Sequence, residues 1–125
     1  MRRQVFLYVF IAAVSVAGVS VQATADVPPE QVAEVEHLLD FVKNSGCIIN
    51  RNGVEHPAEN GVSHIMKKYD YYRDDTSSTE DFIRYSATKS ILSGSYYSVT
   101  CPGKKAINTQ DWLLEELQRY RAEAR

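Results

Sequence analysis

The residues of this chain that could do chemistry are three histidines, a lysine pair, two cysteines and a hydroxyl-rich segment ending in tyrosines. His37, His56 and His64 never fall four residues apart, so no helical two-histidine metal site is expected. His64 stands out because Lys67 and Lys68 follow it by about one helical turn. Cys47 and Cys101 lack a Cys-x-x-Cys partner and suitably spaced histidines, which argues against both a redox thiol and a structural zinc. There is no Gly-x-Ser-x-Gly elbow for a serine nucleophile. Asp74-Asp75 and Glu115-Glu116 read as solvated surface rather than paired catalytic carboxylates. No metal, no cofactor and no catalytic residue is expected.

The most suggestive stretch runs from Tyr85 to Tyr97. It combines Ser86, Ser90, Ser93 and Ser95 with Lys89, the turn residue Gly94, and Tyr96-Tyr97 at a helix-to-strand junction. Convergent backbone N–H groups, a cation and aromatic faces at such a junction would hold an anion or a sugar. The candidate ligand-binding residues are therefore His64, Lys68, Ser90, Ser93, Gly94 and Tyr97. Tyr71 with Arg73 offers a second, exposed aromatic surface of the kind that protein partners use.

Those residues must be positioned by a chain of 125 residues, of which 44% are hydrophobic, enough for a folded domain and too short for two. A formal net charge of −2 gives no electrostatic case for nucleic acid. Met1-Arg2-Arg3-Gln4 is a basic start, followed by an uncharged apolar run from Val5 to Val21 and the small residues Ala23 and Ala25. That layout predicts a secretory signal peptide over residues 1–25, cleaved after Ala25, and a periplasmic product that no longer contacts the membrane. Losing Arg2 and Arg3 leaves 12 basic against 16 acidic side chains, a net of −4 on residues 26–125. In an oxidising compartment Cys47 and Cys101 read as a disulfide. Closing a loop of this length stabilises a fold by ~4 kcal/mol in the chain-entropy treatment.

Pro28-Pro29 opens a helix whose Val35, Leu38, Leu39 and Val42 recur at helical spacing, with Val32 and Phe41 widening the stripe. Asn44-Ser45-Gly46 ends it. Cys47 to His56 reads as a β-hairpin around Asn52-Gly53. A second helix spans Ala58 to about Tyr72, and Ser77 or Ser78 caps a third that should finish near Ser90. Tyr96 to Cys101 alternates as a strand, with Tyr97, Val99 and Cys101 on one face. Ala106-Ile107 suggests a short edge strand before a last helix carrying Trp112, Leu113, Leu117 and Tyr120 inward. The expected fold is a single α+β domain over 26–125, a small antiparallel sheet of hairpin plus late strand packed against about four helices, with one disulfide.

Several short motifs in order resemble the YfeK-like family of small exported bacterial proteins, a domain of unknown function. They are Arg51-Asn52-Gly53, Val62-Ser63-His64-Ile65 with Lys68-Tyr69, Thr79-Glu80-Asp81-Phe82-Ile83, and Ser93-Gly94 with Tyr97. The resemblance runs from about Glu30 to Tyr120 and implies a Gram-negative periplasmic protein with no catalytic residues. Where members of that family often carry Lys-Pro before the tyrosine, this chain has Ser95-Tyr96.

These readings favour a non-enzymatic binding or interaction module whose partner is a protein or a small polar ligand in the periplasm. Two alternatives stand beside it. Ser93-Gly94-Ser95-Tyr96-Tyr97 is similar to the Ser-Gly-x-x-Tyr loop of some periplasmic lysozyme inhibitors. A small cell-wall hydrolase would use His64 with a carboxylate.

Overall fold

The structure is a computed structural model that describes residues 9–18 and 26–124. Residues 9–18 form neither helix nor strand and lie exposed, with Phe10 at 94% of its full accessibility. The predicted cleavage motif, Ala23 to Ala25, lies outside the described residues.

Helix α1 (Pro29–Asn44) begins with proline in its first turn, where the missing N–H costs nothing. It buries Val35, Leu38 and Val42, while Val32, placed on the apolar stripe by its spacing, is exposed at the stripe's edge. Strands β1 (Ile48–Arg51) and β2 (Val54–Pro57) form the expected hairpin. Asn52 and Gly53 take φ of 53° and 79°, the paired left-handed conformation that a tight primed turn needs. Helix α2 (Ala58–Tyr72) follows directly. Its Gly61 is there for closeness: a Cβ would stand 2.8 Å from Ile49 Cδ1 of β1.

Helix α3 (Thr79–Ser86) is capped by Ser78, whose Oγ accepts from Asp81 N at 3.0 Å. Asp81 reaches back to Ser77 N at 3.1 Å, so both serines take part in the cap. This helix ends at Ser86, four residues before the expected end near Ser90. Ala87 leaves the helix at φ −134°, Thr88 Oγ1 bonds to Ile83 O at 2.8 Å, and Lys89 pairs with Tyr96 in an antiparallel bridge. Pairing with a later part of the chain ends the helix, and no local breaker residue announces it.

Strands β3 (Ser98–Thr100) and β4 (Ile107–Asn108) complete a four-stranded antiparallel sheet in the order β2-β1-β3-β4. Ile48 opposes Thr100 and Ile49 opposes Val99, so Cys47 and Cys101 face each other one residue further along. Their sulfurs are bonded and their Cα atoms lie 4.2 Å apart. The disulfide is a rung between neighbouring strands. Helix α4 (Thr109–Glu123) buries Trp112, Leu113 and Leu117, whereas Tyr120 is only half-buried and stacks on His37 at 4.1 Å. One core joins the helices to the inner face of the sheet through Leu38, Ile65, Phe82, Ile83, Val99 and Leu117. The α+β class, the four helices and the crosslink are as the sequence predicts.

Candidate functional site

Helical geometry sets the first part of the site. His64 and Lys68 are four residues apart on α2 and therefore share a face. Tyr97, entering β3, brings its hydroxyl between them. His64 Nε2 lies 3.1 Å from that oxygen, and Lys68 Nζ lies 3.5 Å from it and donates to the Lys89 carbonyl oxygen at 2.6 Å. A lysine ammonium has only donors, so the phenol oxygen accepts from Lys68, while the direction of its bond to His64 Nε2 is set by the imidazole tautomer.

Electrostatics agree with the geometry. Burial pushes the His64 pKa down to about 4, helped by the nearby charges of Arg51, Lys68, His56 and Lys67. Burial also lowers the Lys68 pKa, as does the charge of Arg51, and burial raises that of Tyr97. Lys68 is 8% exposed, and no carboxylate among the described residues pairs with it. A buried cation supported only by a carbonyl and a phenol is costly to keep.

Lys68 borders a cavity of about 260 Å³ between α2, α3 and the segment that follows α3. Arg84 and Lys89 also line it, as do Tyr72 and Tyr85, whose rings stack at 5.5 Å. Ser90, Ile91 and Gly94 close the remaining side. Three cations, two aromatic faces and no acidic side chain make this wall.

Of the six residues singled out by sequence, His64, Lys68 and Tyr97 form one hydrogen-bonded group, and Lys68, Ser90 and Gly94 line the cavity. Ser93 sits elsewhere: its Oγ donates to Asn52 Oδ1 of the hairpin turn at 2.6 Å. The expected convergence of free backbone N–H groups is not what the segment offers. Ser90 N bonds to Ser95 O, Gly94 N to Ser90 O, and Tyr97 N to Thr88 O, each at 2.9 Å. These bonds occupy the three N–H groups and leave ligand recognition to side chains. Arg84 and Tyr72 were not marked by the sequence, because the facing of α2 and α3 is a property of the fold, whereas Tyr85 and Lys89 belong to the Tyr85–Tyr97 stretch.

A Ser-x-x-Lys pair of the penicillin-binding type is not expected from the sequence, yet Ser86 and Lys89 do carry that spacing. Ser86 is fully buried with its Oγ unpartnered, and the Lys89 ammonium extends toward the Tyr96 ring, 6.0 Å from its centroid. The two side chains do not form a reactive pair. His64 borders a gap of only about 10 Å³, and no carboxylate among the described residues bonds to it. Tyr71 is exposed as expected, but Arg73 is engaged by Asp26 at 3.1 Å and Asp70 at 2.7 Å. Among the described residues no three His, Cys, Asp or Glu side chains converge as a metal site would require.

Among the described residues no helix is long and apolar enough to cross a membrane. The crosslink fits an oxidising compartment. No curated protein and no solved structure matches this chain. A family of unknown function, DUF5329, matches residues 29–121, which spans every helix start and every strand of the fold but does not carry the YfeK-like name. The chain belongs to this family, DUF5329.

Proposed function

We propose that this protein is a non-enzymatic periplasmic binding module for a small polar anion, with sugar acids as the class best suited to its pocket. The observation that carries the reading is Lys68, buried and without a carboxylate, beside a cavity whose other charged lining residues are Arg84 and Lys89. A bound carboxylate or phosphate would supply the missing counter-charge, and the Tyr72–Tyr85 pair offers a sugar ring a flat wall. Export through a cleaved leader and a YfeK-like periplasmic role belong to the same proposal. The basic start, the apolar run and the disulfide support them, as does the position of Asp26. Its carboxylate is held by Tyr69 at 2.5 Å and Arg73 at 3.1 Å, so the residue after the expected cut is packed into the domain.

Calorimetric titration with glucuronate, inorganic phosphate and glucose tests this reading. Glucuronate should bind, glucose should bind far more weakly, and Arg84→Ala with Lys89→Ala should weaken glucuronate. Equal affinity for glucose and glucuronate, or no effect of the two substitutions, would overturn it.

A second reading is that the loop docks into a protein, as in lysozyme inhibition. It is favoured by the apolar tip, where Leu92 is 99% exposed beside Ile91 and Tyr96. Tyr97, the tyrosine of the Ser-Gly-x-x-Tyr segment, is turned inward at 5% exposure, so docking would rest on Leu92 and Tyr96. Lysozyme turnover unchanged by excess protein would remove this reading.

A further inference from the structure

Away from that pocket, a larger cavity of about 370 Å³ lies between α1, α4 and the β3–β4 edge. Its floor is apolar: Phe41 and Trp112 meet at 4.9 Å, with Val99 and Ile107 beside them. Ile107 is partly exposed on the two-residue edge strand, so the apolar floor is open to solvent. Lys104 and Lys105 stand on one lip, in the turn that follows Pro102-Gly103. Neither forms an ion pair among the described residues. Glu115 stands free in the same sense, while Glu116 is paired with Arg119 and hydrogen-bonded to His37 at 3.1 Å. The volume is that of a small-molecule site, and an apolar floor with charge at one rim is the usual composition of such sites.

We propose that this cavity binds a small amphipathic monoanion, its ring or short chain on Phe41, Trp112 and Ile107 and its head group at Lys104 and Lys105. The single head charge follows from the wall itself. Two free lysines favour one anionic group, and Glu115 opposes a second. The site shares no residue with the pocket at Lys68, so it stands or falls separately.

Trp112 is the only tryptophan of the chain and reports on the cavity directly. Octanoate titrated into the oxidised protein should change Trp112 emission saturably, and neutral octanol should bind less tightly. Lys104→Glu with Lys105→Glu, both on an exposed turn, should weaken octanoate by roughly tenfold. Lys68→Met should leave octanoate binding unchanged. The proposal is overturned by a linear, unsaturable emission change, by equal affinity for octanol, or by an octanoate affinity indifferent to the double charge reversal. Loss of octanoate binding in Lys68→Met would also overturn it, by assigning the ligand to the other pocket.

Discussion

Lys68 of α2 donates its ammonium to the main-chain carbonyl of Lys89, 2.6 Å away, and so ties the second helix to the segment that follows the third. The bond holds the charge at the inner end of the basic pocket. It does not neutralise that charge, and a buried ion without a counter-ion contributes little to stability. Lys68→Met should therefore leave unfolding free energy within about 1 kcal/mol of the parent while removing glucuronate binding. Denaturant titration and calorimetry on the same variant check this. A large loss of stability with binding intact would assign Lys68 a purely structural role.

Binding should also depend on pH in a defined direction. Burial lowers the Lys68 pKa, so its positive charge is lost at a lower pH than an ordinary lysine's 10.5. Glucuronate affinity should fall as pH rises toward that region. Calorimetry across the alkaline range reads the decline, which should be absent from the residual binding of Lys68→Met.

His64 sets a different window. Its folded pKa of about 4 lies below the ordinary 6.5, so between those values the unfolded chain holds a proton that the native ring refuses. Stability is thus fully present above pH 6.5 and declines as pH falls toward 4. His64→Gln keeps a hydrogen-bonding partner for Tyr97 and should flatten that part of the profile. Denaturation midpoints at neutral and acidic pH measure it, and identical slopes in parent and variant would contradict the assignment.

The rung between Cys47 and Cys101 closes a long loop between adjacent strands. The Cys47→Ser, Cys101→Ser variant should lose up to ~4 kcal/mol of unfolding free energy. Urea unfolding of oxidised protein and variant gives the difference.

Arg121 joins three helices. Its Nε donates to Glu34 Oε2 at 2.6 Å and its Nη2 to Glu34 Oε1 at 3.0 Å, while Nη1 reaches Glu80. Thr79 Oγ1 donates to the same Glu34 at 2.8 Å, which places the start of α3 on α1. Hydrogen bonds from Arg121 hold the Glu34 carboxyl below its ordinary pKa of 4.5 despite burial. Arg121→Ala should cost about 1–2 kcal/mol, and Arg121→Lys, which keeps the charge without the fork, should recover only part of it.

Local signals carried much of the architecture. Asn52-Gly53 marks the hairpin because two adjacent left-handed residues suit few other sequences, and Pro57 followed by a helical period places α2 correctly. The cysteine pair was readable because only two are present. The end of α3 was not, since Ala87-Thr88-Lys89-Ser90 is compatible with a helix and yields only to the Lys89–Tyr96 bridge. The site divides in the same way. Four-residue spacing exposes the His64–Lys68 face, whereas Arg84 and Tyr85 join it only when α3 packs on α2. Ser93 looks like a ligand donor until Asn52, 41 residues earlier, takes its hydroxyl.

The most direct measurement is an amide-resolved NMR titration of the oxidised protein with glucuronate, set against glucose. Saturable shifts concentrated at Lys68, Arg84, Ser90 and Gly94, with glucose nearly silent, are the predicted result. Shifts that avoid this pocket, or that glucose reproduces in full, would contradict an anion site built around the unpaired lysine.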